Sequence, residues 1–222
     1  MASPLEQDLR KALAGEVRFD RATRALYATD ASVYQIEPLG VVLPRSRDDV
    51  EAAVTVAARH GVPITPRGGG TSQAGQSIGA GLVLDTSKYL NRVLDVNPDT
   101  RTARVEPGLV LDDLNAALKP HGLRFAPDVS SSSRATVGGM MANNSSGARS
   151  VLYGKTGDHV RTQQVVLADG TVVDTGMAAQ SEAEGTVRSR YHYDNAGRLT
   201  HRITAKVGAA SEAIDPTANQ TA

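Results

Sequence analysis

Four glycines stand among the ten residues from Gly68 to Ser77, in the run Pro66-Arg67-Gly68-Gly69-Gly70-Thr71-Ser72-Gln73-Ala74-Gly75-Gln76-Ser77. Glycine has no Cβ and reaches backbone angles closed to other residues, so consecutive N–H groups can converge there into a concave nest that suits phosphate oxygens. Thr71, Ser72 and Ser77 add hydroxyl donors to the same run. A flexible Gly/Ser linker is the competing reading of such a composition. It is disfavoured because compact apolar segments, Gly61-Val62-Pro63-Ile64-Thr65 and Leu82-Val83-Leu84, flank the run on both sides and read as strands.

Two common phosphate motifs come close to the run without fitting it. Gly70 to Ser77 has the spacing of a P-loop, but Gln76 occupies the place of the lysine that reaches the terminal phosphates, and a neutral amide supplies no charge. Nucleoside triphosphate binding stays open on that spacing alone. The dinucleotide fingerprint begun at Gly68 and Gly70 would need its third glycine at Gln73, where no helix opens.

A second cluster, Ser130-Ser131-Ser132-Ser133-Arg134-Ala135-Thr136-Val137-Gly138-Gly139, joins hydroxyls to paired glycines at an expected helix start. Unpaired amides and the helix dipole favour negative charge at such a place. Asn143-Asn144-Ser145-Ser146-Gly147 follows shortly after. A serine run by itself reads as a solvated loop. Two anion-friendly loops in one small domain point instead to a long ligand carrying a diphosphate.

The chain has 222 residues, enough for one or two domains with a core that needs no staples. Lys+Arg and Asp+Glu both number 24, so no overall field draws in nucleic acid or an anionic membrane, and anion binding must be local. The absence of cysteine excludes disulfides, thiolate metal sites and cysteine nucleophiles, and fits a reducing compartment. With no apolar signal core and no run of membrane-spanning length, the expectation is a soluble, cytoplasmic protein.

The elements that would carry the two loops can be read from capping and periodicity. Ser3-Pro4-Leu5-Glu6 starts a helix with Leu5, Leu9 and Leu13 on one face, ending at Gly15. Val41-Val42-Leu43 reads as a strand, and Ser46 caps a second helix that stops near Gly61. The resulting order is strand, helix, strand, glycine loop, strand. Alternation over 92–96 and 102–106 predicts an antiparallel hairpin, and a third helix carries Leu111, Leu114 and Leu118 to about Gly122. Its polar residues Asp112, Asp113 and Asn115 are expected on solvated surface. Gln164 to Val173 reads as another hairpin turned at Asp169-Gly170.

These residues resemble a known family. Pro66 to Ser72, Pro127-Asp128, Ala135 to Gly139, Asn143 to Gly147, Tyr153-Gly154 and Asp158-His159-Val160 are similar to the PCMH-type, or vanillyl-alcohol oxidase-like, FAD-binding domain. Within that family they resemble the D-lactate, glycolate and D-2-hydroxyglutarate dehydrogenases, and Leu26 to Ser32 resembles the opening segment of members fused to an iron–sulfur domain. The resemblance covers about residues 5 to 175. It implies an α+β fold, two α/β subdomains with FAD between them. The expected divisions are an N-terminal helical lead-in over 1–36, the FAD-binding domain over 37–176 and a non-family tail over 177–222.

The resemblance also assigns residues. The amides of Arg67, Gly68, Gly69, Gly70 and Thr71 with the side chain of Ser72 would hold the pyrophosphate, and Gly75, Gln76 and Ser77 complete that loop. Pro127, Asp128, Thr136, Gly138 and Gly139 would line the pyrophosphate, ribityl and adenosine side, while Asn143 and Gly147 approach the flavin ring. His159, Val160 and Val165 belong to the last cofactor-contacting stretch, where His159 reads equally as a structural histidine. Some members attach flavin through a histidine at the position of Thr71; threonine there implies noncovalent FAD.

Full members continue into a cap domain that supplies the substrate side. Here the tail reads differently, and Tyr191-His192-Tyr193-Asp194-Asn195-Ala196-Gly197-Arg198-Leu199-Thr200 resembles one YD repeat of the Rhs type. A lone repeat has no neighbour to stack upon, so the tail is expected to be a short hairpin or disordered. No catalytic residue and no metal site is assigned. Two functions stand open: a flavoprotein oxidoreductase domain that oxidises a D-2-hydroxy acid by hydride transfer to FAD once a cap domain is supplied, and a noncatalytic flavin-binding fragment or rearranged gene product.

Overall fold

A computed structural model describes residues 2–176 and, as backbone strands only, 186–193 and 199–207. It divides into one compact unit, Met1–Thr175, and a second, Gly176–Ala222. The expectations for the tail fall largely on 177–185, 194–198 and 208–222, which lie outside the described residues. In the second unit, strands Thr186–Tyr193 and Leu199–Val207 pair antiparallel.

The first unit is α+β. Its N-terminal helix α1 (Pro4–Ala12) begins where the Ser3 side chain accepts the Glu6 amide, with proline at the first turn, and ends three residues before the expected Gly15. It is followed by β1 (Glu16–Arg18) and the short helix α2 (Arg21–Leu26). Neither was foreseen, because three strand residues show no period and α2 buries no side chain. Next come β2 (Gly40–Leu43), α3 (Arg47–Arg59), β3 (Ile64–Arg67) and β4 (Leu82–Asp85).

These strands form one sheet in the order β1-β2-β4-β3, parallel except for β1. Every residue of β2 and β4 is buried, as central strands covered on both faces must be. Val42, Leu82 and Leu84 meet Leu5, Leu9, Ala53 and Val56 of α1 and α3. Val41, Leu43 and Val83 face the other way, against Tyr27 and Tyr89. Full burial of one such leucine stabilises by about 2 kcal/mol, so α1 and β1 belong structurally to this sheet and its core.

The third strand corrects the sequence reading by register. Gly61, at φ +64°, ends α3 in the left-handed region, and pairing starts only at Ile64 and runs on to Arg67. The shift matters because the glycine loop then leaves directly from the strand end.

A second core lies beyond the sheet. The hairpin β5 (Val93–Asn97) and β6 (Thr102–Val105) and the helices α4 (Leu111–Leu118) and α5 (Val137–Ala142) enclose Leu109, Leu114, Leu118 and Val137. Asn115 is not free surface: its Oδ1 accepts the Phe125 amide at 2.9 Å and fixes the chain after α4. The short helix α6 (Ser150–Tyr153), a 3₁₀ turn at Thr156–His159, and the hairpin β7 (Thr162–Val166) and β8 (Val172–Gly176) complete the unit. The β7–β8 turn is at Asp169-Gly170, where Asp169 accepts the Thr171 amide and Gly170 adopts φ +88°.

Glu16 ties β1 to the segment after β4. Its carboxylate accepts from Lys88 Nζ at 2.5 Å, from the Tyr89 hydroxyl and from Arg18, and these donors hold its pKa down at about 2. An isolated glutamate titrates near 4.5. Its stabilisation is therefore complete above about pH 4.5 and lost as pH falls toward 2. Glu16→Gln is expected to lower the unfolding midpoint at pH 7 and to match the wild type progressively as pH drops through that window. Parallel thermal melts across that range check it, and a constant gap would remove the assignment.

Candidate functional site

The glycine loop begins where β3 delivers Arg67. Gly70 and Gly75 have φ of +65° and +72°, angles that an L side chain resists, so the two turns of the loop depend on glycine. Among the described residues, none accepts a hydrogen bond from the amides of Gly68, Gly69, Gly70, Thr71, Ser72 or Gln73. None of these six residues is buried, so their amides stand open to solvent or to a ligand.

The hydroxyls of the loop are less available than expected. Ser72 Oγ donates to Gln76 Oε1 at 2.5 Å and accepts from the amides of Ala74 and Gln76, closing a turn. Ser77 is buried, and its single hydroxyl proton goes to Asp30 Oδ2 at 2.9 Å. Both therefore shape the loop and leave Thr71 as its uncommitted hydroxyl. The Arg67 guanidinium also turns inward, donating to the Ser77 carbonyl at 3.1 Å and lying 5.2 Å from the Tyr27 ring centroid.

The second cluster lies directly against the first. A Cβ on Gly68 would collide with Thr136 Oγ1, and one on Gly69 with the carbonyl oxygen of Arg134. Gln76 Nε2 reaches Asn143 Oδ1 at 3.5 Å. Two bends 67 positions apart at the Gln76–Asn143 contact thus form a single wall, and their contact requires bare backbone at Gly68 and Gly69.

The expectation of free amides at the start of α5 is overturned. Val137 N donates to the Leu109 carbonyl at 2.8 Å, Gly138 N to the Pro107 carbonyl at 2.7 Å, and Gly139 N to the Thr136 side chain at 3.4 Å. Gly138 is small for a packing reason, since a Cβ there would sit 2.7 Å from Pro107 Cβ. The helix start is anchored onto the chain between β6 and α4, and the free donors belong to the glycine loop.

The remaining predicted residues fall into two groups. Pro127 is fully buried, and Asp128 takes the Arg149 amide at 3.2 Å and its Nε at 2.7 Å. That guanidinium holds the Asp128 carboxyl below the usual range. Gly147 is pressed against the Asp128 backbone, where a Cβ would collide with its carbonyl oxygen. His159 contacts the Tyr153 carbonyl through Nε2 at 2.7 Å, with its ring 5.4 Å from Phe125, and Val160 closes the same 3₁₀ turn. Thr156 bonds the Ser145 carbonyl and Gly157 bonds Asn144, so this turn braces the Asn143 to Gly147 bend. Val165 is on β7, a strand that lies against α3.

Sequence reasoning missed Asp30. Burial pushes its carboxyl pKa up, but donors from Ser32 and Ser77 outweigh that and leave it lowered. No local pattern reveals a partner 47 positions away. Among the described residues, no group of three or more His, Asp or Glu side chains could hold a metal ion, and no helix is long and apolar enough to cross a membrane.

The sequence model of a family described as an FAD binding domain matches residues 38–176. The chain belongs to this FAD-binding family. It is similar to D-2-hydroxyglutarate dehydrogenase of Pseudomonas putida, 48% identical over 159 residues that make up 70% of this chain and 16% of that protein. It is also similar to glycolate oxidase subunit GlcD of Bacillus subtilis, at 36% identity over 84% of this chain and 41% of that one. The chain thus spans about a sixth of the dehydrogenase. Among solved structures, an alkyldihydroxyacetonephosphate synthase superposes with a TM-score of 0.71 at 25% identity, covering 79% of this chain and 38% of that one. Physcomitrella patens BBE-like 1 gives 0.68 at 26% identity, covering 78% and 38%. FAD is the cofactor of this family, and the residues present fit it: the amides of Gly68 to Gln73 have no protein acceptor, and a second loop backs them.

The interlock of the two loops is directly testable. Gly68→Ala should destabilise by about 1–3 kcal/mol through overpacking, and Thr136→Ala by about 1 kcal/mol through loss of the cap. Because the second change removes the atom the first collides with, the double variant should be more stable than the sum of the two, by about 1 kcal/mol. Urea unfolding of the four proteins measures this, and strict additivity would mean that the loops do not touch.

Proposed function

We propose that the wall formed by the two loops binds the diphosphate of noncovalent FAD, and that the chain is the cofactor-binding part of a dehydrogenase that oxidises a D-2-hydroxy acid. The observation that carries this reading is the run of unpaired amides from Gly68 to Gln73 in contact with the Arg134–Thr136 bend. Converging N–H groups in a partly enclosed site stabilise an oxyanion without a counter-cation. Thr71 adds the one uncommitted hydroxyl, and Asn143 and Gly147 lie on the side where the bend turns toward α6. The dehydrogenase and glycolate oxidase relatives support the substrate class.

Bound there, FAD supplies a hydride acceptor for Cα of the hydroxy acid, whose hydroxyl proton a base must take. Of the histidines of the first unit, His121 is exposed in the turn after α4 and the other two are committed elsewhere. His60 pairs with Asp8 at 2.9 Å on the α1–α3 face, and His159 is held by Tyr153 and Phe125. The substrate carboxylate and the hydroxyl proton therefore need groups from a cap domain, and the chain alone binds cofactor and turns over little. Balanced charge and the absence of cysteine support a cytoplasmic setting with neither nucleic acid nor membrane as partner.

The purified chain refolded with excess FAD should carry a resolved flavin absorption band and release the flavin on denaturation. Thr71→Asp, which sets a carboxylate among the free amides, should weaken FAD binding by more than about tenfold, about 1.4 kcal/mol, with an unchanged circular dichroism spectrum. A colourless wild type, or a Thr71→Asp variant that retains flavin equally, would overturn the reading.

A further inference from the structure

The glycine loop does not hold its shape alone; the segment from Tyr27 to Ile36 grips it from outside. Ala31 N donates to the Gly70 carbonyl at 3.0 Å, at one of the two left-handed turns. Asp30 Oδ2 receives the Ser77 hydroxyl at 2.9 Å and the Ser77 amide at 3.4 Å, at the far end of the loop. The Tyr34 ring covers the other turn, 2.9 Å from where a Cβ of Gly75 would be. The segment is itself braced: Ile36 N bonds the Ala28 carbonyl at 2.9 Å, Ser32 N bonds Asp30 Oδ1 at 2.8 Å, and Ser32 Oγ takes the Tyr34 amide at 3.1 Å. Tyr27 fixes its start by donating to Asp85 at the end of β4 at 2.6 Å, beneath the Arg67 guanidinium that itself bonds the Ser77 carbonyl.

Both turns and the exit of the loop are thus gripped from one external segment. Six free amides repel one another's partial charges and converge only if the backbone is held; a loop ordered in advance loses less entropy when its anion arrives. We propose that Asp30, with Ala31 and Tyr34, is a positioning residue that pre-shapes the Gly68–Ser77 loop for a diphosphate, acting through Ser77 and Gly70 and not by contact with the ligand. The inference rests on the FAD reading. It places a determinant of cofactor affinity upstream of residues 38–176, the stretch that matches the family.

The test is calorimetric FAD titration of the full 222-residue chain, with parallel calorimetric titrations of ADP, which carries the diphosphate, and riboflavin, which does not. Asp30→Ala should weaken FAD and ADP by about tenfold and leave riboflavin unchanged. Asp30→Asn keeps one acceptor oxygen for Ser77 and should recover part of the loss. Tyr34 is 57% exposed, so Tyr34→Ala leaves folding intact and should weaken FAD and ADP by about threefold. Melting of the ligand-free variants separates a lost fold from a lost loop shape. Wild-type FAD affinity in both Asp30→Asn and Tyr34→Ala, or equal losses for riboflavin and ADP, would overturn the proposal. A wild type that binds neither FAD nor ADP would instead sink the cofactor reading on which it stands.

Discussion

Contact of bare glycine backbone with a second loop is the constraint on which the site depends. Gly68 and Gly69 lie so close to Thr136 and Arg134 that no side chain fits between them. Each loop alone would be a Gly- or Ser-rich turn open to water; interlocked, they present one surface that includes the free donors of Gly68–Gln73. The rest of the unit serves that contact. The parallel strands β3 and β4 fix where the first loop leaves and returns, and the hydrogen bonds of Val137 and Gly138 to the chain after β6 fix where the second can lie.

Donor economy separates the two loops chemically. A helix start is usually the place to seek an anion, since its first amides lack partners. Here α5 spends those amides on Leu109 and Pro107, which makes it an anchor, while the loop after β3 keeps its own amides free. The serine hydroxyls follow the same division: Ser72 and Ser77 stabilise the turns of the glycine loop and Thr71 remains open. Shape comes from committed groups, and the proposed binding falls to uncommitted ones.

Much of this was legible in the sequence because it is local. Caps at Ser3 and Ser46, the leucine spacing of the third helix and the Asp169-Gly170 turn each write their element into a few adjacent residues, and the structure has them. The glycine run announced a loop of left-handed turns, since only glycine permits φ +65° at Gly70 at little cost. What was not legible is tertiary. Strand β1 is defined only by pairing with β2, and the start of β3 at Ile64 is set by its ladder with Leu82. The occupied α5 amides and the link from Asp30 to Ser77 join residues tens of positions apart, and no periodicity encodes them.

The most direct measurement of the central claim is an amide-resolved NMR titration of the ligand-free chain with FAD. The account predicts the largest amide shifts at Gly68 through Gln73, with Val137 and Gly138 little changed because their protons are already bonded. Shifts centred on the first turn of α5, with the Gly68–Gln73 amides unmoved, would contradict it.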